Sequence, residues 1–289
     1  MRRISAPFFV LAVLILQACG GGAETPRGGG EQTDRPATTF SVEGSDFAFE
    51  HPPAVQAGAV EFQFSNSGKA QHVLIMARVN PGVTLDEARE ALLSDEPPQG
   101  TPPYSFIPGV AEISPGQDAN STSVLQPGQY LMICPIPDAD GTPHFAKGMV
   151  SSFEATGAGG GSLPTSEATV TAQEFAFLNV PQQLSAGDHV LQMRNSGKQE
   201  HELNLAELAP GKTVEDIVAF MQQPPGQGGP PPMVLHGGLL MQPGLSATAR
   251  FTLEAGKQYA FVCMVPDFSD TPPTPHVVKG MYTQAFSPT

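Results

Sequence analysis

The chain has few charged and aromatic side chains for its length of 289 residues. Charged residues make up 15%, aromatic residues 7%, and tryptophan is absent, whereas a typical soluble domain has about 25% charged residues. Only 14 residues are basic against 28 acidic ones, so the formal net charge is −14. Because such a chain repels phosphate and has no basic stripe, we exclude nucleic acid as a partner.

Long apolar runs are also missing, except near the N-terminus. Arg2 and Arg3 precede an apolar run over residues 8–16, which is too short to cross a bilayer as a stable helix. The following Leu16-Gln17-Ala18-Cys19 resembles the lipobox of bacterial lipoproteins, in which cleavage precedes a lipidated cysteine. The resemblance implies a signal peptide over residues 1–18 and a lipid anchor at Cys19.

The lipobox resemblance also implies a location. The protein would be extracytoplasmic in the cell envelope, held to a membrane by acyl chains, in the periplasm or at the outer-membrane face if the cell has two membranes. Gly20 rather than Asp follows the cysteine, which resembles the outer-membrane pattern. An ordinary secretory signal with a chance cysteine is the alternative.

Glycine and proline are abundant, with 31 and 30 residues. This composition favours short strands joined by turns over long helices. Two glycine-rich stretches mark boundaries: a flexible tether over residues 19–36 and a linker over residues 156–166. They predict two domains, over residues 37–155 and 167–289.

The two predicted domains are internal repeats of each other. Phe47-Ala48-Phe49 returns as Phe175-Ala176-Phe177, and Asn66-Ser67-Gly68-Lys69 returns as Asn195-Ser196-Gly197-Lys198. Period-two alternation and apolar β-rich runs predict strands at residues 60–64, 73–79, 130–134, 189–193, 250–253 and 259–265. We therefore expect an all-β fold of two tandem Greek-key β-sandwiches.

Each repeat also contains one short helical patch. It covers residues 85–93 in the first repeat and 214–221 in the second, opened by Thr84 and Thr213 with acidic residues in the first turn. The proline-rich stretches that follow both patches leave the shape of this excursion open.

Four residue types that can bind metal recur in the same order in both repeats. The first His precedes the Cys by 62 positions in each; the second His follows the Cys by 10 positions in one repeat and by 13 in the other, and the Met follows that His by 5 in both. Two imidazoles, a thiolate and a weak axial thioether are the ligands of a blue-copper site. The predicted ligands are His72, Cys134, His144 and Met149, then His201, Cys263, His276 and Met281.

These residues resemble the cupredoxin family, and the resemblance covers both repeats. The Asn-Ser-Gly turn before His72 and His201 is similar to the turn before the first copper histidine of that family. The loop from Cys134 to Met149 is similar to the type 1 copper loop of copper nitrite reductases. The resemblance implies a cupredoxin-like fold with one type 1 copper per domain, the first domain being favoured over the second.

The sequence departs from the family in two places. An Asn that supports the cysteine sulfur often follows the first copper histidine, but Val73 and Glu202 stand there. The second ligand loop is three residues longer, so we expect His276 to be placed differently from His144.

Several features exclude a built-in multicopper catalytic centre. Ile133 and Val262 precede the cysteines, where related enzymes have a histidine, and no His-x-His pair exists. His51, His189 and His236 lie outside the repeat; we expect structural roles for them, with His236 as the best spare ligand. We therefore predict a non-enzymatic protein without a type 2 copper site.

The leading hypothesis is an electron-transfer protein whose redox partner has a basic docking surface, because the chain itself is acidic. Copper storage, delivery or tolerance is the first alternative, and a metal-free scaffold or interaction module is the second. A subunit whose partner supplies catalytic copper is a third. The two repeat cysteines could also pack in the cores without metal or pair in a disulfide.

Overall fold

The computed structural model describes residues 36–94, 100–138, 140–223 and 229–289. The predicted signal peptide over residues 1–18, the lipidation residue Cys19 and the tether up to residue 35 lie outside the described residues. Among the residues described, no helix has both the length and the apolar character that a membrane span requires.

The first repeat is built almost entirely of strands, as the sequence predicts. Its elements are β1 Thr38–Ser45, β2 Ala48–Glu50, β3 Ala54–Gln56, β4 Gly58–Asn66, β5 His72–Val79, α1 Leu85–Leu92, β6 Tyr104–Ile113, β7 Asp118–Leu125, β8 Gly128–Ile133, a 3-10 helix His144–Lys147 and β9 Val150–Thr156. The helix α1 begins after Thr84, whose side chain accepts a hydrogen bond from the Glu87 backbone N–H in a capping box.

The second repeat follows the same order, but its described residues contain no counterparts of β3, the 3-10 helix and β9, and they add a short hairpin. Its elements are β10 Ala168–Gln173, β11 Ala176–Leu178, β12 Gly187–Asn195, β13 His201–Leu208, α2 Val214–Met221, β14 Met233–Met241, β15 Ser246–Leu253, β16 Tyr259–Val262, β17 Pro266–Asp267 and β18 Thr274–Pro275. The all-β class and the helical excursion of each repeat are confirmed.

The two repeats share their sheets. One eight-stranded sheet has the order β11-β10-β12-β15-β7-β4-β1-β2, and the other has the order β16-β13-β14-β6-β5-β8-β9-β3. Equivalent strands meet antiparallel at the junction: β14 pairs with β6 through Leu239 and Val110, and β15 pairs with β7 through Thr248 and Thr122. The described residues accordingly belong to one compact unit.

Each repeat nevertheless has its own hydrophobic core between the two sheets. The first core includes Phe40, Phe62 and Phe64, and it also takes in Leu240 from the second repeat. The second core includes Phe251 and Phe261. Both proposed cysteine ligands, Cys134 and Cys263, lie within these cores.

A glycine allows the strands beside the junction to approach closely. A Cβ at Gly109 would lie 2.3 Å from the Leu74 carbonyl oxygen, and one at Gly238, where φ is +141°, would lie 2.2 Å from the equivalent Leu203 oxygen. The ladders β5–β6 and β13–β14 shift register close to these points. The glycines therefore mark β-bulges next to the strands that begin with the first histidines.

Candidate metal centres

The first site forms where β5 begins and the β8–β9 connection runs past it. His72 is the first residue of β5, Cys134 follows β8 directly, and His144 opens the 3-10 helix. Cys134 Sγ lies 3.9 Å from His72 Nδ1 and 3.5 Å from His144 Nδ1, and the two Nδ1 atoms are 3.2 Å apart. All three side chains are fully buried.

The second site has the same arrangement. Cys263 Sγ lies 4.0 Å from His201 Nδ1 and 3.4 Å from His276 Nδ1, and the two Nδ1 atoms are 3.1 Å apart. The expectation that His276 is placed differently from His144 is therefore wrong. The extra residues of the longer loop lie in the hairpin of β17 and β18, whose pairing of Pro266 with Pro275 closes the loop before His276.

Three donor atoms converge in each site at distances that suit one ion. In each group the ligand atoms lie within 4.8 Å of one another, and these two groups are the His, Cys and carboxylate clusters of metal-binding geometry within the described ranges. Donors bonded to one ion at about 2.0–2.3 Å stand roughly 3–4 Å apart. Two imidazoles and a thiolate thus fit a soft or borderline transition metal.

The loop backbone places the methionines beside the other ligands. Cys134 N–H donates to the Met149 carbonyl oxygen over 3.2 Å, and Met149 N–H donates to the His144 carbonyl oxygen over 3.0 Å. Cys263, Met281 and His276 repeat these bonds at 3.1 and 3.0 Å. Both methionine side chains are fully buried in the core that holds the cysteine of their own repeat.

A backbone amide supports each cysteine sulfur, at the position where the sequence lacks the expected Asn. Val73 N–H points to Cys134 Sγ over 3.5 Å, and Glu202 N–H points to Cys263 Sγ over 3.4 Å. Sequence reasoning looked for a side chain there and missed the main-chain donor. Since any residue except proline supplies this N–H, the residue type gave no signal.

The recurring Asn-Ser-Gly turn fixes the approach to the first histidine. Asn66 Oδ1 accepts from Gly68 N–H, and Asn66 Nδ2 donates to the carbonyl oxygens of Ala70 and Ile113. Asn195 makes the equivalent three bonds in the second repeat. The motif is therefore explained by a buried amide that ties the turn to the neighbouring strand.

A phenylalanine from each repeated Phe-Ala-Phe motif lies against the second histidine of its site. The ring of Phe47 lies 4.6 Å from that of His144, and Lys147 Nζ lies 5.0 Å from the Phe47 ring centre. Phe175, His276 and Lys279 repeat this stack at 5.2 and 4.8 Å. These aromatic and cationic groups cover the second histidine of each site from outside.

Carboxylates hold both loop lysines. Lys147 Nζ lies 2.5 Å from Asp138 and 3.3 Å from Asp140. Lys279 Nζ lies 2.6 Å from Asp267 and 2.7 Å from Asp270. Each lysine thereby connects the two ends of its ligand loop.

Burial sets the protonation of the metal-free sites. It raises the pKa of the Cys134 thiol to about 12 and that of the Cys263 thiol well above its usual value. Burial also lowers the pKa of all four histidines, that of His201 to about 4. The imidazoles therefore offer lone pairs at neutral pH, while each thiol must lose a proton when a metal binds.

The three histidines outside the repeat make hydrogen bonds away from both sites, and the two cysteines are not joined to each other. His51 bonds Ser151 and the Pro52 carbonyl oxygen, and His189 bonds Glu167 and the Ser185 carbonyl oxygen. His236 belongs to neither group of metal-binding geometry, and its Nε2 lies 3.0 Å from Glu207. Cys134 and Cys263 are both free thiols, so they form no disulfide.

No protein-family model matches the sequence, and no curated protein matches it significantly. Among solved structures, auracyanin from Roseiflexus castenholzii is 21% identical over 42% of this chain and 98% of its own, with a TM-score of 0.30. Auracyanin A, a blue copper protein from Chloroflexus aurantiacus, is 20% identical over 42% and 100%, with a TM-score of 0.29. Copper nitrite reductase from Nitrosomonas europaea is 15% identical over 88% and 94%, with a TM-score of 0.25.

Proposed function

We propose that this protein is a copper-binding electron carrier with one type 1 site in each of two cupredoxin-like domains. The observation that carries the proposal is the duplicated convergence of two imidazole Nδ1 atoms and one Sγ in a buried site. Each set is followed by a buried methionine that the loop backbone holds beside it. The ligands are His72, Cys134, His144 and Met149 in one site and His201, Cys263, His276 and Met281 in the other.

The donor set favours copper over other metals. A thiolate and a thioether suit Cu(I), and imidazole suits Cu(II), so both oxidation states find acceptable ligands without exchange. When bound, copper supplies a one-electron couple. The chain itself has to hold the donor atoms in place. The first histidine stands at the start of a buried strand, and backbone hydrogen bonds cross the ligand loop, so the donor atoms move little.

Electron carriage is favoured over catalysis by what surrounds the sites. Ile133 and Val262 precede the cysteines, and the three other histidines are bonded elsewhere. None of these three histidines belongs to a cluster of metal-binding geometry within the described residues.

The domain organisation and location complete the proposal. Residues 37–155 and 167–289 are two tandem Greek-key sandwiches fused edge to edge, with residues 156–166 as their linker. Residues 1–18 are a lipoprotein signal peptide, and residues 19–36 tether the protein to a membrane through lipidated Cys19. The acidic chain would then meet a redox partner with a basic surface outside the cytoplasm.

Voltammetry of the copper-loaded protein separates electron carriage from copper handling. We expect reversible one-electron waves that account for two coppers per chain, because the ligands need not rearrange. Retention of copper without a reversible wave would contradict electron carriage and favour storage or delivery. Failure to retain copper would favour the metal-free scaffold.

A further inference from the structure

The two sites differ in which histidine has its outer nitrogen held. In the first site His72 Nε2 lies 3.1 Å from Asp46 Oδ1, and His144 Nε2 has no hydrogen-bond partner among the described residues. In the second site His276 Nε2 lies 3.0 Å from Gln199 Oε1, and His201 Nε2 is the nitrogen without a partner there. All four imidazoles are fully buried, so the difference does not arise from exposure.

The first cause is a one-methylene difference between equivalent acids. Asp46 precedes Phe47 as Glu174 precedes Phe175. The backbone N–H groups of Lys69 and Ala70 hold the Asp46 carboxylate at 2.9 and 3.2 Å, in position for His72.

In the second repeat the longer acid comes close to the imidazole without bonding it. Glu174 accepts from Lys198 N–H. A Cβ at Gly197 would lie 2.7 Å from Glu174 Oε1 and 2.8 Å from His201 Nε2. The two groups are thus neighbours across the turn glycine, yet His201 Nε2 is left without a partner.

The second cause is an exchange of alanine for glutamine two residues before the first histidine. Ala70 and Gln199 occupy equivalent positions in the two turns. Alanine has no side-chain acceptor to offer His144, whereas the Gln199 amide oxygen reaches His276. Two positions therefore determine which imidazole is anchored and whether its anchor is charged.

We propose that Asp46 and Gln199 are positioning residues that make the two metal sites inequivalent, the first having the lower reduction potential. The inference rests on the proposed function. A carboxylate that accepts the outer N–H of a ligating histidine increases the basicity of the nitrogen bound to the metal, and a neutral amide does so less. The first site accordingly favours Cu(II), and an electron added to the protein resides in the second.

Single-site proteins test the difference directly. Cys263→Ser leaves only the first site, and Cys134→Ser leaves only the second; the potential of each is measured by spectroelectrochemistry. We expect the lower potential for the first site. Within the first site, Asp46→Asn keeps an acceptor but removes the charge, and it should shift the preference for Cu(II) over Cu(I) by about tenfold, or about 59 mV for one electron.

Glu174→Gln in the second site is the matched control, because that acid does not bond the imidazole. It should shift the potential much less than Asp46→Asn does. Each variant is compared with its own single-site parent, so the effects of unchanged neighbours such as the buried Glu202 cancel. Equal shifts from the two substitutions, or a higher potential at the first site, would overturn the inference.

The anchoring is tested without metal by nitrogen-15 NMR of the histidine rings. His72 and His276 should each carry the proton on Nε2. Asp46→Ala should change the ring signals of the first site, those of His72 most and those of His144 through the 3.2 Å contact between their Nδ1 atoms, and leave the second site unchanged. Gln199→Ala should change the ring signals of the second site, those of His276 most, and leave the first site unchanged. Unchanged ring signals in both variants would overturn the inference even if copper binds. If the ring signals respond as expected but neither single-site protein shows a thiolate-to-copper band, the proposed function fails and the assignment of positioning residues stands.

Discussion

Gly68 and Gly197 lie so close to the first histidine of their sites that a single added Cβ would collide with it. A Cβ at Gly68 would lie 2.4 Å from Asp46 Oδ1 and 2.8 Å from His72 Nε2. We therefore expect Gly68→Ala to push the carboxylate and the imidazole apart and to weaken copper binding at the first site by about 10–100-fold, the range typical of lost outer-sphere partners. Competition with a chelator measures the affinity of each site.

The second site of the same variant is the internal control and should keep its affinity. Gly197→Ala should reverse the pattern, weakening the second site and sparing the first. If Gly68→Ala binds two coppers as tightly as the parent, the close approach at this turn does not position the ligands.

The sequence predicts the individual metal ligands but not the residues that hydrogen-bond to those ligands. His, Cys, His and Met recur in the same order and at similar spacing in both repeats, so the two ligand sets can be identified from the sequence alone. Asp46 and Gln199 could not, because each reaches its histidine only through the folded turn. The N–H groups of Val73 and Glu202 belong to the main chain, which every residue except proline shares.

The ligand loop of the second repeat depends on one buried ion pair. Asp267 is only 4% exposed at its side chain, and Lys279 is its cation at 2.6 Å. Lys279→Met keeps an unbranched side chain but leaves the buried carboxylate without its cation, which is unfavourable. We expect a lower urea midpoint for unfolding of the metal-free protein and a weaker hold on copper at the second site.

Lys212→Met is the matched control for that substitution. Lys212 pairs with Asp216 near the start of α2, where the side chains are 48% and 38% exposed. Because exposed pairs of this kind contribute little, the control should unfold close to the parent. Equal effects of the two substitutions would show that burial of the Lys279 pair has no special importance.

Elements were predictable where a local signal fixes them. The helices α1 and α2 begin after Thr84 and Thr213, where the capping residue and first-turn acids stand in the sequence. The hairpin of β17 and β18 was not predictable, because its pairing depends on where the ends of the loop are held. That hairpin is also why a loop three residues longer still returns His276 to the same place.

Across the whole molecule, Glu202 connects the two repeats inside the protein. It is 2% exposed, and its carboxylate accepts from Met264 N–H over 2.6 Å. Burial, followed by the nearby Glu112 of the first repeat, raises the pKa of Glu202 to about 8. The folded protein thus holds a proton there that the unfolded chain releases near its ordinary pKa.

Because the folded protein binds this proton more tightly than the unfolded chain does, the free energy of unfolding must fall as the pH rises. The stabilising effect of the protonated Glu202 is fully present below the unfolded pKa and is lost as the pH rises through about 8. Glu202→Gln keeps an acceptor for Met264 but cannot ionise. Between pH 6 and 8 the free energy of unfolding should fall less steeply in this variant, by up to about 1.4 kcal/mol per pH unit.

Urea unfolding of the metal-free parent and variant across that range measures the two slopes. Parallel curves would mean that Glu202 is not protonated in the folded protein. Glu112 and Glu200, whose pKa values burial raises to about 7, should leave some pH dependence in the variant.

The junction is the part of the architecture that the sequence did not predict. Repeats joined by a glycine-rich stretch suggested separate sandwiches, whereas β6 pairs with β14 and β7 with β15 in two continuous sheets. At this junction β6 and β14 are buried in continuous runs of residues rather than in alternation, and a continuous apolar run does not specify which strand pairs with it. The pairing of equivalent edge strands depends on the three-dimensional shape of the two folded repeats, which the sequence pattern does not specify.

Copper stoichiometry combined with visible absorption tests the central claim most directly. The parent should bind two coppers per chain and show an intense thiolate-to-copper band; Cys134→Ser and Cys263→Ser should each keep one copper and part of the band, and the double variant should lose the band. A colourless parent at full copper occupancy, or a band that survives in the double variant, would contradict the assignment of these two thiolates to type 1 copper.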